Sequence, residues 1–163
     1  MNPNLSPVDW AKRPLQKYAD FTGRAPRPEY WWYFLALVIA SVVLSIIEGI
    51  IGLKGMVLGI YGPLTLLLIL ATIVPSLAVG ARRLHDTNRS GWWLLLGIVP
   101  YALMLLFRPA AGSPFGAMAL FGIASLIALI CGIVVLVFMV LPGTPGDNRF
   151  GPPIGESTTI AAE

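Results

Sequence analysis

Residues 117–141 read AMALFGIASLIALICGIVVLVFMVL, twenty-five positions without a charge. About 20 apolar residues cross a hydrocarbon layer of ~30 Å as a helix. Lipid offers the backbone no hydrogen-bonding partner, so the run has to bond within itself as a helix. A barrel strand would place a polar residue at every second position, and this run does not. Three further apolar runs precede it. One opens on Tyr30-Trp31-Trp32-Tyr33, one ends near Val79, and one follows Gly91. The expected fold is therefore all-α: a polytopic membrane protein whose four transmembrane helices, at about 30–50, 60–79, 91–107 and 117–141, form a bundle with a cytoplasmic cap of loops.

The rest of the composition agrees. The chain has 163 residues, 56% of them apolar and 12% charged. That charged share is about half the roughly 25% usual in soluble domains. With a mean hydropathy of +0.78, it excludes a disordered chain, which needs low hydrophobicity and high charge. The lone Cys131 excludes an intramolecular disulfide and a cysteine zinc site, and it reads as a small apolar filler. Between the first two runs, Gly49, Gly52, Gly55 and Gly59 interrupt an apolar stretch that carries Lys54. Either two long helices meet in a tight turn at Lys54-Gly55, or two shorter ones flank a glycine-rich loop. Pro63, Pro75 and Pro100 fall in or near the ends of spans and can kink them.

Lysine and arginine set the orientation. Lys12, Arg13, Lys17, Arg24, Arg27, Arg82, Arg83, Arg89 and Arg149 fall on one side, and only Lys54 and Arg108 on the other. The positive-inside rule then places both termini and the middle loop in the cytoplasm. Trp31, Trp32, Trp92 and Trp93 come to the cytoplasmic interface. Residues 1–29 read as a cytoplasmic segment and not a cleavable signal, since no apolar core follows directly on a basic start. A short interfacial helix is expected there after Pro14, with Trp10, Leu15, Tyr18 and Phe21 dipping into the headgroups. Residues 142–163 form a cytoplasmic tail whose last part, 155–163, is expected to be disordered.

The polar information is concentrated in three segments on that side. The first is Phe21-Thr22-Gly23-Arg24-Ala25-Pro26-Arg27-Pro28-Glu29-Tyr30-Trp31. The second is Ala81-Arg82-Arg83-Leu84-His85-Asp86-Thr87-Asn88-Arg89-Ser90-Gly91-Trp92-Trp93. The third is Leu141-Pro142-Gly143-Thr144-Pro145-Gly146-Asp147-Asn148-Arg149-Phe150-Gly151. In all three the chain resembles the domain-of-unknown-function 805 family of bacterial inner-membrane proteins. That family's motifs match here at Phe21, Gly23, Arg24, Arg27, Glu29 and Trp31, then at Arg82–Asp86 and Arg89–Trp93. They match again at Pro142, Gly143, Gly146, Asn148, Arg149, Phe150 and Gly151. The resemblance covers about residues 15–152, and Pro26 and Pro28 depart from it. It implies a four-helix membrane fold in the bacterial inner membrane and brings no activity.

The residues themselves suggest two uses of this cap. Ser90 is a good N-cap for the third helix, whose N-terminus offers free N–H groups and the positive dipole end. Arg24, Arg27, Glu29, Arg82, Arg83, His85, Asp86, Arg89, Ser90, Trp92, Asn148 and Arg149 are then the candidate binding residues of this cap, its guanidinium groups and helix N-terminus making an anion site for a lipid phosphate. Alternatively Glu29, Asp86 and Asp147 neutralise the arginines and pin the segments together as a clasp. A polybasic lipid tether needs four to eight like charges together, and none is present. The only histidine, His85, lacks the partners of a zinc site. No nucleophile elbow, Walker loop or nucleic-acid signature occurs, so no cofactor, metal or nucleic-acid partner is expected. Glu48 is the one acid in an apolar stretch, a functional candidate by default, with a structural role favoured. Small residues from Gly116 to Gly132 suit close packing of helix 117–141, within the chain or by self-association. The leading expectation is a non-enzymatic inner-membrane module that binds a partner protein or anionic lipid through its Arg/Trp-rich motifs. The alternatives are a small transporter or lipid-handling protein, and an interfacial lipid enzyme using His85 and Asp86.

Overall fold

The computed structural model describes residues 5–57, 61–106, 109 and 113–153. Their regular structure is helical: α1 (Pro7–Gln16), α2 (Arg27–Ile50), α3 (Pro63–Asp86), a 3₁₀ turn (Gly91–Trp93), α4 (Leu94–Leu106) and α5 (Phe115–Val140). The expected disorder at 155–163 lies outside the described residues, as does Arg108.

α1 starts earlier than the expectation of a helix after Pro14, and it runs through that proline. Ser6 decides the start. Its Oγ accepts from the Asp9 amide at 3.2 Å, while the Asp9 carboxylate accepts from the Ser6 amide at 3.3 Å and from its hydroxyl at 2.6 Å. With Pro7 in the first turn, this capping box nucleates the helix. The two Ser6 bonds hold the Asp9 carboxyl below its ordinary pKa.

Between α2 and α3 the chain uses the glycine-rich loop and not a tight turn. Gly52 and Gly55 take left-handed conformations (φ 75° and 78°) that a side chain would disfavour, and Val57 pairs with Tyr61 across the loop. α3 then continues to Asp86, seven residues past the expected boundary at 79. Hydropathy falls at Ala81-Arg82-Arg83, but helicity does not. No proline intervenes, and a cationic last turn complements the negative end of the helix dipole. Asn88, at φ 58°, turns the chain just beyond the helix end. Arg82, Arg83, His85 and Asp86, expected in a loop, therefore stand on a helix.

α2, α3 and α5 are each long and apolar enough to cross a membrane. The fourth apolar helix falls short of the expected span. α4 with its 3₁₀ turn covers residues 91–106, about 24 Å at ~1.5 Å per residue, against the ~30 Å of a hydrocarbon core.

The buried centre sits at one end of the bundle, where the start of α2, the end of α3 and the end of α5 meet. It holds Ala25, Tyr33, Val79, Leu84 and Met139, and among them Arg24, Glu29, Arg82, Arg83 and Asp86. Ile39, Ile46, Ile123, Leu126 and Ile133 stand outward, each about half exposed. Charges inside and aliphatics outside invert the arrangement of a water-soluble protein and fit a chain whose solvent is lipid.

Candidate functional site

The last turns of α3 organise the site. Neighbours on a helix point about 100° apart, so Arg82 and Arg83 serve different clusters. Arg82 Nη1 donates to Glu29 Oε1 at 2.6 Å, with both side chains wholly buried. Arg13, from α1, places its Nε 3.7 Å from Glu29 Oε2. Glu29 thus ties α1 and α3 to the first turn of α2. Arg82 also keeps Nε and Nη2 buried without a hydrogen-bond acceptor among the described residues.

Arg83 faces α5. Its Nε donates to the Met139 carbonyl at 3.1 Å, its Nη2 to the Leu141 carbonyl, and its Nη1 to the Ala25 carbonyl at 3.5 Å and to the Asp86 carboxylate. A guanidinium thereby occupies the C-terminal carbonyls of α5, where a cation is favoured. The other Asp86 oxygen accepts from Arg24 Nε at 2.8 Å. Arg24 continues into the tail, donating to the carbonyls of Gly146 at 2.8 Å and Thr144 at 2.6 Å. The Thr144 amide donates back to the Asp86 carbonyl at 2.8 Å. Gly143 passes so close to Asp86 that a Cβ there would overlap the carboxyl group. Glycine at position 143 is a requirement of this approach.

His85 turns the other way. Its Nδ1 lies 3.1 Å from the Gly23 carbonyl, and since a carbonyl only accepts, Nδ1 carries the proton. Its ring stacks on Phe150, centroids 3.8 Å apart and planes 5° apart. Asn148 Nδ2 donates to the His85 carbonyl at 2.9 Å and to Thr144 Oγ1 at 2.8 Å. Asp86 is held by two guanidiniums and the His85 Nδ1 proton is directed to a carbonyl, so these neighbours form no His–Asp acid–base dyad. No group of three metal-binding side chains occurs among the described residues.

The structure thus gathers Arg24, Glu29, Arg82, Arg83, His85, Asp86 and Asn148 at one end of the bundle in a network of two ion-pair clusters that joins all three motifs, with the arginines and acids buried and His85 and Asn148 partly exposed. It leaves the other expected residues on the rim. Arg27 is exposed and donates to the Leu141 carbonyl at 3.2 Å. The Arg89 guanidinium lies 4.2 Å over the Phe138 ring. Arg149 is exposed, reaching the Asn88 carbonyl at 3.0 Å. Ser90 does cap the next helix, its Oγ accepting from the Trp92 amide at 3.5 Å, and Trp92 is 77% exposed. An open groove of about 440 Å³ runs beside them, lined by Phe21, Leu77, His85, Ser90, Trp92 and Leu95, among others. The side chains of Arg13, Thr144 and Phe150 were not expected in the network, nor were the accepting carbonyls of Gly23, Ala25, Met139, Leu141 and Gly146. Thr144 and Phe150 lay within the third motif, where the ring and hydroxyl were the available signals. Arg13 and these carbonyls carried none.

At the far end of the bundle Glu48, on α2, has a structural use. One oxygen accepts from the amides of Leu64 at 2.5 Å and Thr65 at 2.9 Å, and the other from Thr65 Oγ1 at 2.6 Å. It is an N-cap for α3 supplied from the neighbouring helix.

A family model described as "Protein of unknown function (DUF805)" matches residues 18–152, the stretch that contains every member of this network except Arg13. The chain is 34% identical over 150 residues to the inner membrane protein YhaH of Escherichia coli K12, covering 89% of this chain and 95% of that one. It is 35% identical over 144 residues to the inner membrane protein YhaI of the same strain, covering 88% and 93%. No solved structure matches it. The family model spans all three motifs that fold into the clasp, and the relatives match along nearly their whole length, so the chain belongs to the DUF805 family.

Proposed function

We propose that this chain is a four-crossing protein of the bacterial inner membrane with both termini cytoplasmic. In this reading it is a non-enzymatic module whose cap binds anionic headgroups at its rim. The observation that carries the reading is the division of labour among the arginines. Arg24, Arg82 and Arg83 are buried and engaged within the chain, so they hold the cap together. Arg27 and Arg149 are exposed, Arg89 lies over the Phe138 ring against which Trp93 packs, and Trp92 and Trp93 are exposed as well. Guanidinium groups with interfacial indoles suit phosphate oxygens at a membrane surface. The relatives' description as inner membrane proteins supports the location, and the one-sided cluster of basic residues supports the orientation.

Native mass spectrometry of the mildly solubilised protein tests this, with wild type beside Arg27→Ala/Arg89→Ala/Arg149→Ala. The expected result is retained anionic phospholipid in the wild type, reduced in the triple variant at equal folded yield. A co-purifying protein lost in the variant, without lipid, would move the function to a protein partner. Absence of both effects would overturn a role for the rim.

A further inference from the structure

α3 carries Pro75 in its interior. Proline has no amide hydrogen, and the carbonyl four residues back loses its helical partner. Here that carbonyl belongs to Ala71, the ninth residue of the 24 in α3. Water would satisfy it on a soluble helix. Inside an apolar span no solvent does, and an unsatisfied carbonyl there is costly.

The chain supplies a donor from elsewhere. The Tyr18 hydroxyl lies 2.8 Å from the Ala71 oxygen, 53 residues away in sequence. Tyr18 follows directly on α1 and precedes a turn in which Asp20 Oδ1 accepts from the Thr22 amide at 3.0 Å and its hydroxyl at 2.6 Å. α1 is itself fastened to α2 and α3 through the Arg13–Glu29–Arg82 charges. On the next positions of α3, the Tyr33 hydroxyl from α2 sits 3.2 Å from Ser76 Oγ. The interrupted turn is therefore met by a phenol from each of two other segments.

We infer that residues 7–18 form a strap whose Tyr18 hydroxyl stands in for the amide that Pro75 lacks. Docking of the strap and the geometry of α3 are then one coupled equilibrium. Release of the strap opens the Ala71 carbonyl, frees α3 to bend at Pro75, and loosens the hold of Arg13 on the Glu29–Arg82 pair. A cavity of about 290 Å³ between α2 and α3, lined by Leu37, Ser41, Thr72 and Ser76 among others, lies beside this break. The strap thus links a hinge within the span to the cap at its end.

A double-mutant cycle on the full chain in mild detergent separates this role from ordinary packing. Tyr18→Phe removes only the hydroxyl. Pro75→Ala restores the amide that reclaims the Ala71 carbonyl. We expect Tyr18→Phe to lower the thermal midpoint by about 2–4 °C in the Pro75 background and by less than about 1 °C in the Pro75→Ala background. Equal shifts in both backgrounds, or none in either, would overturn the inference. Trypsin cleavage at Lys17 gives a second readout of the strap itself. Tyr18→Phe and Pro75→Ala should each speed it about fivefold, and the double variant should be no faster than either single one. Additive rates, or unchanged ones, would again refute it. Should Pro75→Ala fail to accumulate, Pro75→Gly restores the same amide and serves in the same cycle.

Discussion

Asp86 shows how much one carboxylate is asked to do. It neutralises Arg24 and Arg83 at once, while its own backbone carbonyl receives the Thr144 amide. Removing the charge but not the shape, as in Asp86→Asn, leaves two buried guanidiniums without a counter-ion. Breaking a buried pair by removing one partner costs about 3–5 kcal/mol, and we expect a loss of that order in the unfolding free energy of the detergent-solubilised chain. Gly143→Ala should cost about 1–3 kcal/mol by overpacking, because the carboxyl it would strike is held from both sides and cannot swing away. Arg89→Ala, on the half-exposed rim, should stay within about 0.5 kcal/mol; a rim substitution as damaging as Asp86→Asn would mean that the two sets of arginines are not distinct. At this scale the motifs made the charged participants legible, since acids and bases within them had to find one another. The acceptors were not legible. Most guanidinium hydrogens go to the carbonyls of Ala25, Met139, Leu141, Thr144 and Gly146, and every residue has a carbonyl, so composition carries no trace of which ones are used.

Among the elements, α3 is where pattern and physics diverge most. The apolar run located the helix, but hydropathy reports the solvent beside a residue and not its dihedral angles. The last two turns, buried among protein groups rather than lipid, therefore looked like a loop. α1 diverges for the opposite reason: Pro14 is a start signal in the sequence, but the Ser6–Asp9 capping box upstream sets the actual start. The other end of α3 was decided by Glu48. Apolar surroundings made Glu48 a candidate for function, and its bonds to the Leu64 and Thr65 amides and the Thr65 hydroxyl explain it as a cap. Glu48→Ala should lower stability by about 1–2 kcal/mol, the range for loss of a helix cap. Glu48→Gln keeps an amide oxygen as acceptor and should lose less. Thermal unfolding of the two variants side by side checks the order, and an equal loss in both would show that the charge rather than the cap geometry matters. Gly62 belongs to the same joint, because a Cβ there would overlap the Glu48 carboxyl.

For the whole molecule the decisive relation is parity. Arg83 on α3 reaches the Leu141 carbonyl at the end of α5, and Arg24 before α2 reaches the tail at Thr144, so the start of α2 and the ends of α3 and α5 share one face. α5 runs 26 residues away from that face, about 39 Å at ~1.5 Å per residue. In the proposed four-crossing arrangement α4 would return the chain between Asp86 and Phe115 in the opposite sense. A helix shorter than the hydrocarbon thickness can cross if the bilayer thins or the flanking residues reach outward, each at a modest cost per ångström. In a Cys131→Ser background, single cysteines at Lys54, Ser113 and Arg149 distinguish the alternatives. With four crossings, a membrane-impermeant maleimide added to intact cells labels positions 54 and 113 and spares 149 until the membrane is opened. If α4 instead turned back without crossing, position 113 would be protected in intact cells, and α5 would have to leave its C-terminus outside. That arrangement would separate Arg83 from Leu141 and Arg24 from Thr144, so the labelling of one loop residue tests the clasp and the topology together.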